Sequence, residues 1–150
     1  MEQEELFELQ ERMENATEEE RMAEVLKYFP NFKLKTLYSG TSPKGANTYR
    51  VTIKNNDEEF TTTFTDSIYN TSRGERSSNI SILDCVLMDA QCYENCNSLE
   101  DFADNFGYDL YEERSKATRV FRACERQYNN IIKLFGSDGY EILNCLTYGM

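Results

Sequence analysis

The chain has 150 residues, with 27 acidic against 16 basic side chains and no histidine, which gives a formal net charge of −11. This balance argues against a protein that binds nucleic acid through a broad basic surface. The missing histidines exclude Ser-His-Asp and Cys-His catalysis and histidine-ligated metal sites. Since 39% of the residues are hydrophobic and 13% aromatic, the chain can bury a core, and we expect one domain over residues 1–150.

Two helices are predicted in the amino-terminal segment, residues 1–29. The first follows from apolar residues at helical spacing, Leu6, Leu9 and Met13. Thr17 and Glu20 form the Thr-x-x-Glu pattern of a capping box and predict the start of the second, which Pro30 ends. Its expected buried stripe is Met22, Val25, Leu26 and Phe29.

The acidity is concentrated in this segment. Residues 1–29 hold ten glutamates against three basic residues, a net charge of −7, whereas residues 30–76 carry +2 and residues 77–150 carry −6. Carboxylates are stabilising in the first turn of a helix, at the positive end of its dipole. Some of the glutamates therefore need no binding partner to explain them. The alternative is a partner-binding acidic surface, for which the candidates are Glu4, Glu5, Glu8, Glu11, Glu18, Glu19, Glu20 and Glu24.

Over residues 32–65 the period changes to two, which predicts three antiparallel strands. The apolar positions that indicate them are Leu34, Thr36 and Tyr38, then Tyr49, Val51 and Ile53, then Phe60, Thr62 and Phe64. Asn55, Asn56 and Asp57 predict a tight hairpin turn between the second and third strands. The outward Thr61, Thr63 and Thr65 are what a half-exposed strand normally carries.

Residues 66–79 are polar and predict a connecting loop, and residues 79–147 predict a helical half. Ile80, Leu83 and Leu87 indicate one helix, and Ser98 caps another that should bury Leu99, Phe102 and Phe106. The longest helix is expected over residues 111–135, closed by Gly136 and followed by a short final helix. The predicted class is α+β: amino-terminal helices, a three-stranded antiparallel sheet, and a carboxy-terminal helical half with one long helix, which we expect to lie across the sheet.

The long helix also presents basic residues on one face. Arg114, Arg119, Arg122 and Arg126 could contact a phosphate backbone. Glutamates are interleaved with them, so intramolecular ion pairing is the competing interpretation. Direct nucleic-acid binding is not what the overall charge favours.

Five cysteines in a chain without a signal-peptide pattern are expected to be reduced thiols. Cys92 and Cys96, with Cys85 upstream, have spacing compatible with zinc, but there is no second clustered pair, so buried thiols are the expectation and no cofactor is predicted. No nucleophile stands beside a plausible base, which predicts a non-catalytic protein. The absence of a long apolar run predicts no membrane span.

Three stretches resemble a family of small proteins encoded by phages and mobile elements of Gram-positive bacteria. They are residues 66–71 (DSIYNT), residues 84–87 (DCVL) and residues 99–109 (LEDFADNFGYD). The likeness covers about residues 47–143, whereas the acidic residues 1–29 and the stretch from Cys92 to Cys96 depart from the family pattern.

The resemblance implies a small phage-encoded accessory protein in the bacterial host cytoplasm. Acidic inhibitors of host defence, especially anti-CRISPR proteins, fit the charge, because a CRISPR effector nuclease has basic channels that an acidic surface can occupy. A regulatory or structural phage protein, acting through helical contacts or as a homodimer, is the main alternative. A nucleic-acid binder using the basic face of the long helix is the third.

Overall fold

The computed structural model describes residues 1–43, 45–65 and 78–150. Two helices precede the sheet, α1 (Gln3–Met13) and α2 (Glu18–Tyr28). The strands are β1 (Lys33–Thr41), β2 (Asn47–Asn55) and β3 (Glu58–Thr65). The helical half contains α3 (Asn79–Glu94), α4 (Leu99–Phe106) and α5 (Leu110–Leu146). The α+β class predicted from the sequence is confirmed.

The sheet is antiparallel throughout, in the order β1-β2-β3. Tyr49, Val51 and Ile53 of the central strand all point inward and are buried, as the alternation predicts. The β2–β3 turn passes through Asn56, whose φ of 56° lies in the left-handed region that asparagine tolerates. The period-two pattern therefore correctly predicted which face of the sheet the helices cover.

The helices cover this inner face. The main core joins strand residues to α3 and α5, and its completely or almost completely buried side chains include Val51, Ile53, Leu83, Leu87, Ile131 and Leu143. The long helix contacts the sheet through polar groups as well, since the Gln127 Nε2 donates to the Thr62 Oγ1 at 2.9 Å. The expected position of this helix against the sheet is confirmed.

A sharp break divides α5 at Gly136, where φ is 74° and ψ is 174°. These angles are accessible essentially to glycine alone. A break leaves the preceding carbonyls without their helical donors, and the buried Asn55 supplies one, since its Nδ2 donates to the Leu134 oxygen at 3.0 Å. The sequence prediction that Gly136 closes the long helix is correct, although a helical segment resumes directly after it.

The amino-terminal helices pack on α3 and α5. Both halves of the predicted capping box form: the Glu20 amide donates to the Thr17 hydroxyl at 3.1 Å, and the Thr17 amide donates to the Glu20 carboxylate at 3.3 Å. Leu6, Leu9 and Met13 are buried, as expected. The second helix contributes one buried cation, Arg21, whose side chain reaches the carboxy-terminal end of α5.

Three expected core residues are instead exposed. Leu26 is 44% exposed, Phe106 47% and Tyr38 55%. Leu26 falls on the outer side of α2, and Phe106 is the last residue of α4. Tyr38 lies next to the irregularity in the β1–β2 pairing between Tyr38 and Gly40. The predicted loop over residues 66–79 lies mostly outside the described residues, as does the resemblance stretch at residues 66–71.

Candidate partner-binding surface

The exposed side of α1 carries an acidic stripe, which we define as Glu4, Glu8 and Glu11. These positions recur at helical spacing, so they line one face, opposite the buried Leu6 and Leu9. All three glutamates are exposed, and no hydrogen bond or ion pair joins them to another described residue. They are therefore available to a partner without the loss of an internal contact.

An exposed aromatic ring lies within the acidic stripe. Phe7 is 59% exposed, and it lines a shallow depression of about 340 Å³ with Gln3, Glu4 and Glu8. An exposed aromatic side chain surrounded by charged residues is typical of a protein–protein contact site. The aromatic ring supplies buried area, and the charges steer the approaching partner. Phe7 was not among the residues predicted from the sequence, although its place off the Leu6–Leu9 stripe indicates that it faces solvent.

The other α1 and α2 glutamates fall into two groups. Glu5 and Glu19 are exposed and make no contact with a described side chain. Glu18 and Glu20 serve the fold: the Glu18 Oε1 accepts from the Ser81 hydroxyl at 3.3 Å, and Glu20 completes the capping box. Helix capping thus accounts for part of the acidity, but it does not account for the acidic stripe, Glu5 or Glu19.

The prediction that Glu24 belongs to the partner-binding surface is wrong. We expected a partner contact there, but the residue is only 9% exposed and both its carboxylate oxygens are engaged within the chain. Arg12 of α1 donates to Oε2 at 3.3 Å and Lys27 donates to Oε1 at 3.1 Å. This charged group ties α1 to α2, and it is removed from the candidate surface.

Two of the four arginines on the basic face of α5 are paired within the chain. Arg122 donates to the Glu125 carboxylate at 2.9 Å, and Arg114 lies 3.9 Å from that of Glu100. Arg119 and Arg126 are exposed and have no ion pair with a described residue. These two cations alone make a weaker phosphate-binding site than the four arginines considered from the sequence.

The five cysteines lie in three environments, and one of them, Cys145, is buried in the main core. Cys96 and Cys124 are buried together in a second apolar cluster, against which Cys92 packs, while Cys85 is exposed and outside it. Among the described residues, no three Cys, Asp or Glu side chains are placed to hold a metal ion. The structure therefore does not gather Cys85, Cys92 and Cys96 into the zinc site considered from their spacing.

Burial makes Cys124 a pH-sensitive contributor to stability. Burial, and secondarily the nearby Asp89 and thiols, raises the pKa of Cys124 to about 12 from an ordinary value of 9.0. Below the ordinary value the thiol is protonated in both states and contributes no pH dependence. Between the two values only the unfolded chain releases the proton, so the free energy of unfolding falls as pH rises, by up to about 1.4 kcal/mol per pH unit from this group.

We accordingly expect urea unfolding to show lower stability at about pH 10 than at about pH 8, with about 1 kcal/mol of the loss owed to Cys124. Cys124→Ala is the control. This variant starts less stable, because it leaves a small void, but it should lose less over the same interval. An equal loss in both proteins would contradict the assignment.

Comparison of the chain with protein-family models, with curated proteins and with solved structures finds no match. None of the helices in the described ranges is both long and apolar enough to cross a membrane. The candidate surface therefore depends on its own geometry: an exposed stripe of carboxylates, unpaired with described residues, around an exposed phenylalanine.

Proposed function

We propose that the protein is a non-catalytic inhibitor that binds a nucleic-acid-binding protein through the acidic stripe and Phe7. The observation that carries the proposal is the state of the Glu4, Glu8 and Glu11 side chains, which are exposed and form no hydrogen bond or ion pair with another described residue. Carboxylates at helical spacing can occupy a basic groove that otherwise holds phosphates, and charge complementarity accelerates the encounter.

The phage resemblance identifies the partner to test first, a CRISPR effector nuclease in the bacterial host cytoplasm. Such a nuclease holds guide and target strands in positively charged channels. Binding of the acidic stripe at a channel entrance would compete with the nucleic acid, and Phe7 would be buried at the contact. On this proposal the protein acts as an anti-CRISPR protein by occupying a site rather than by modifying it.

The test is inhibition of target cleavage by a guide-loaded CRISPR effector nuclease, measured beside a pull-down of the same nuclease. The variant Glu4→Lys, Glu8→Lys, Glu11→Lys should weaken inhibition about tenfold or more, because reversed charges repel a basic groove. Phe7→Ala should weaken it separately, since an aromatic anchor contributes buried area.

A matched variant controls for net charge: Asp104→Lys, Glu112→Lys, Glu141→Lys makes the same change at exposed carboxylates outside α1. It should keep inhibition within about threefold of the original protein. Equal losses in the two triple variants would remove the acidic stripe as the contact. A homodimer in size-exclusion chromatography that Phe7→Ala dissociates, together with no effect on cleavage, would favour the regulatory alternative instead.

A further inference from the structure

The outer face of the sheet is basic in a chain whose net charge is −11. Alternate residues of each strand point away from the helices, and the cations among them are Lys33, Lys35, Arg50 and Lys54, which we call the basic sheet face. All four are exposed. The only carboxylate among the described outward strand residues is Glu59.

The register brings like charges together on this face. Lys33 lies directly opposite Lys54, and Lys35 lies opposite Thr52, which places it diagonal to both Lys54 and Arg50. Directly opposed side chains in a sheet are separated by about 5 Å at Cβ and diagonal ones by about 7–8 Å. No ion pair joins any of these cations to a described carboxylate. Glu59 lies directly opposite Lys54 and offsets part of its charge. Lys33, Lys35 and Arg50 have no carboxylate opposite them, so this part of the cluster costs stability unless an anion neutralises it.

The remaining outward side chains indicate which anion fits. Thr52, Thr61, Thr63 and Thr65 supply hydroxyl groups between the cations, and hydroxyls and cations together are the groups that contact phosphate oxygens. Single strands are held by stacking on aromatic rings, and none of the described outward positions is aromatic. Leu37, 66% exposed, is the one large apolar side chain among the described outward positions. The lysine-rich remainder matches the backbone of a duplex, which presents one charge per about 1.7 Å of axis.

We propose that the basic sheet face binds duplex nucleic acid through its phosphates, without reading base sequence. This site is separate from the acidic stripe and does not rest on the proposed inhibition of a nuclease. The four cations lie between the Lys33–Lys54 pair and Arg50, about 13 Å along the strands, which is enough for several phosphates of a duplex.

The acidic helices do not prevent this binding at physiological salt. α1 and α2 pack on α3 and α5, whereas the basic sheet face points away from those helices. A helix alone is about 10–12 Å across, and the Debye length at physiological ionic strength is about 8 Å. The carboxylates of α1 are therefore screened from a duplex on the sheet, although the net charge of the whole chain is strongly negative.

Fluorescence anisotropy with a labelled 24-base-pair DNA duplex at about 75 mM salt tests the proposal. Lys35→Glu, Arg50→Glu should weaken the affinity at least tenfold, and Lys35→Gln, Arg50→Gln should weaken it less, in proportion to the charge removed. The logarithm of the affinity should fall with the logarithm of the salt concentration with a slope of about −3 to −4, as expected for three or four phosphate contacts. Lys54→Gln should reduce that slope by about 0.9.

The control is Arg114→Glu, Arg119→Glu, which makes the same charge change at exposed positions of α5. It should alter the affinity by less than about threefold if the sheet is the site. Failure to bind the duplex, or an equal loss in both double variants, would overturn the proposal. Tighter binding of labelled polyglutamate than of the duplex would overturn it as well, by assigning the face to acidic protein segments. Each outcome is independent of the cleavage assay with α1 variants.

Discussion

Replacing Arg21 with methionine is expected to lower the free energy of unfolding by about 3 kcal/mol. Arg21 is 4% exposed, and its guanidinium donates to three carbonyl oxygens: that of Leu146 at 3.3 Å, that of Tyr148 at 2.6 Å and that of Ala16 at 3.3 Å. Each such charge-assisted bond contributes about 1.5–3 kcal/mol, of which desolvation of the cation offsets a part. The cation also faces the negative end of α5.

A second effect comes from Asp84. Burial raises the pKa of this carboxyl, and the Arg21 charge opposes that rise. Without the cation, Asp84 becomes harder to ionise. We expect a melting temperature lower by about 6–12 °C at neutral pH. Arg119→Met is the matched control, because it removes an exposed arginine that has no ion pair with a described residue, and its effect should stay within about 0.5 kcal/mol.

Replacing Gly136 with alanine should cost about 2 kcal/mol of stability. The cause is the backbone conformation alone, since φ is 74° and ψ is 174°, and a Cβ added at this position would meet no atom within 4 Å. A thermal melt should show a decrease of about 4–8 °C. Ser137→Ala, at the exposed next position, should change stability by less than about 0.5 kcal/mol. Equal melting temperatures for the two variants would mean that the chain relaxes the break at no cost.

The local features of the fold could be predicted because their causes are local. Thr17 and Glu20 satisfy each other's amides within one turn, Asn56 accepts a left-handed turn, and Gly136 allows angles that other residues avoid. Strand alternation identified the inner face from a few residues at a time. None of these signals depends on what the rest of the chain does.

The features that could not be predicted depend on partners far away in sequence. Nothing near Arg21 in the sequence indicates its burial, because the carbonyl groups that accept from it belong in part to Leu146 and Tyr148, 125 and 127 residues later. Glu24 counted as a surface carboxylate, but its burial requires Arg12 on another helix. The period of a helix specifies its apolar side and not which charged residue near the edge of that side will be covered.

The candidate surface was predicted in part. Glu4, Glu8 and Glu11 are where the helical pattern puts them, exposed and on one face. The composition of residues 30–76 gave a charge of only +2, which conceals the basic sheet face, because a sum over a segment does not distinguish the two faces of a sheet. Assigning charges by strand parity, residue by residue, would have separated Lys33 and Lys35 from the inner face.

The packing of the amino-terminal helices on the end of α5 has a consequence for synthesis. The Cys145 thiol donates to the Leu6 oxygen at 3.4 Å, and Arg21 reaches Tyr148, so α1 and α2 are completed by residues made more than 120 positions later. At about 5–20 residues per second, the ribosome needs about 6–25 seconds to deliver them. Helices of 11 residues are marginal alone. The acidic stripe therefore takes its final form only after the ribosome has passed residue 148.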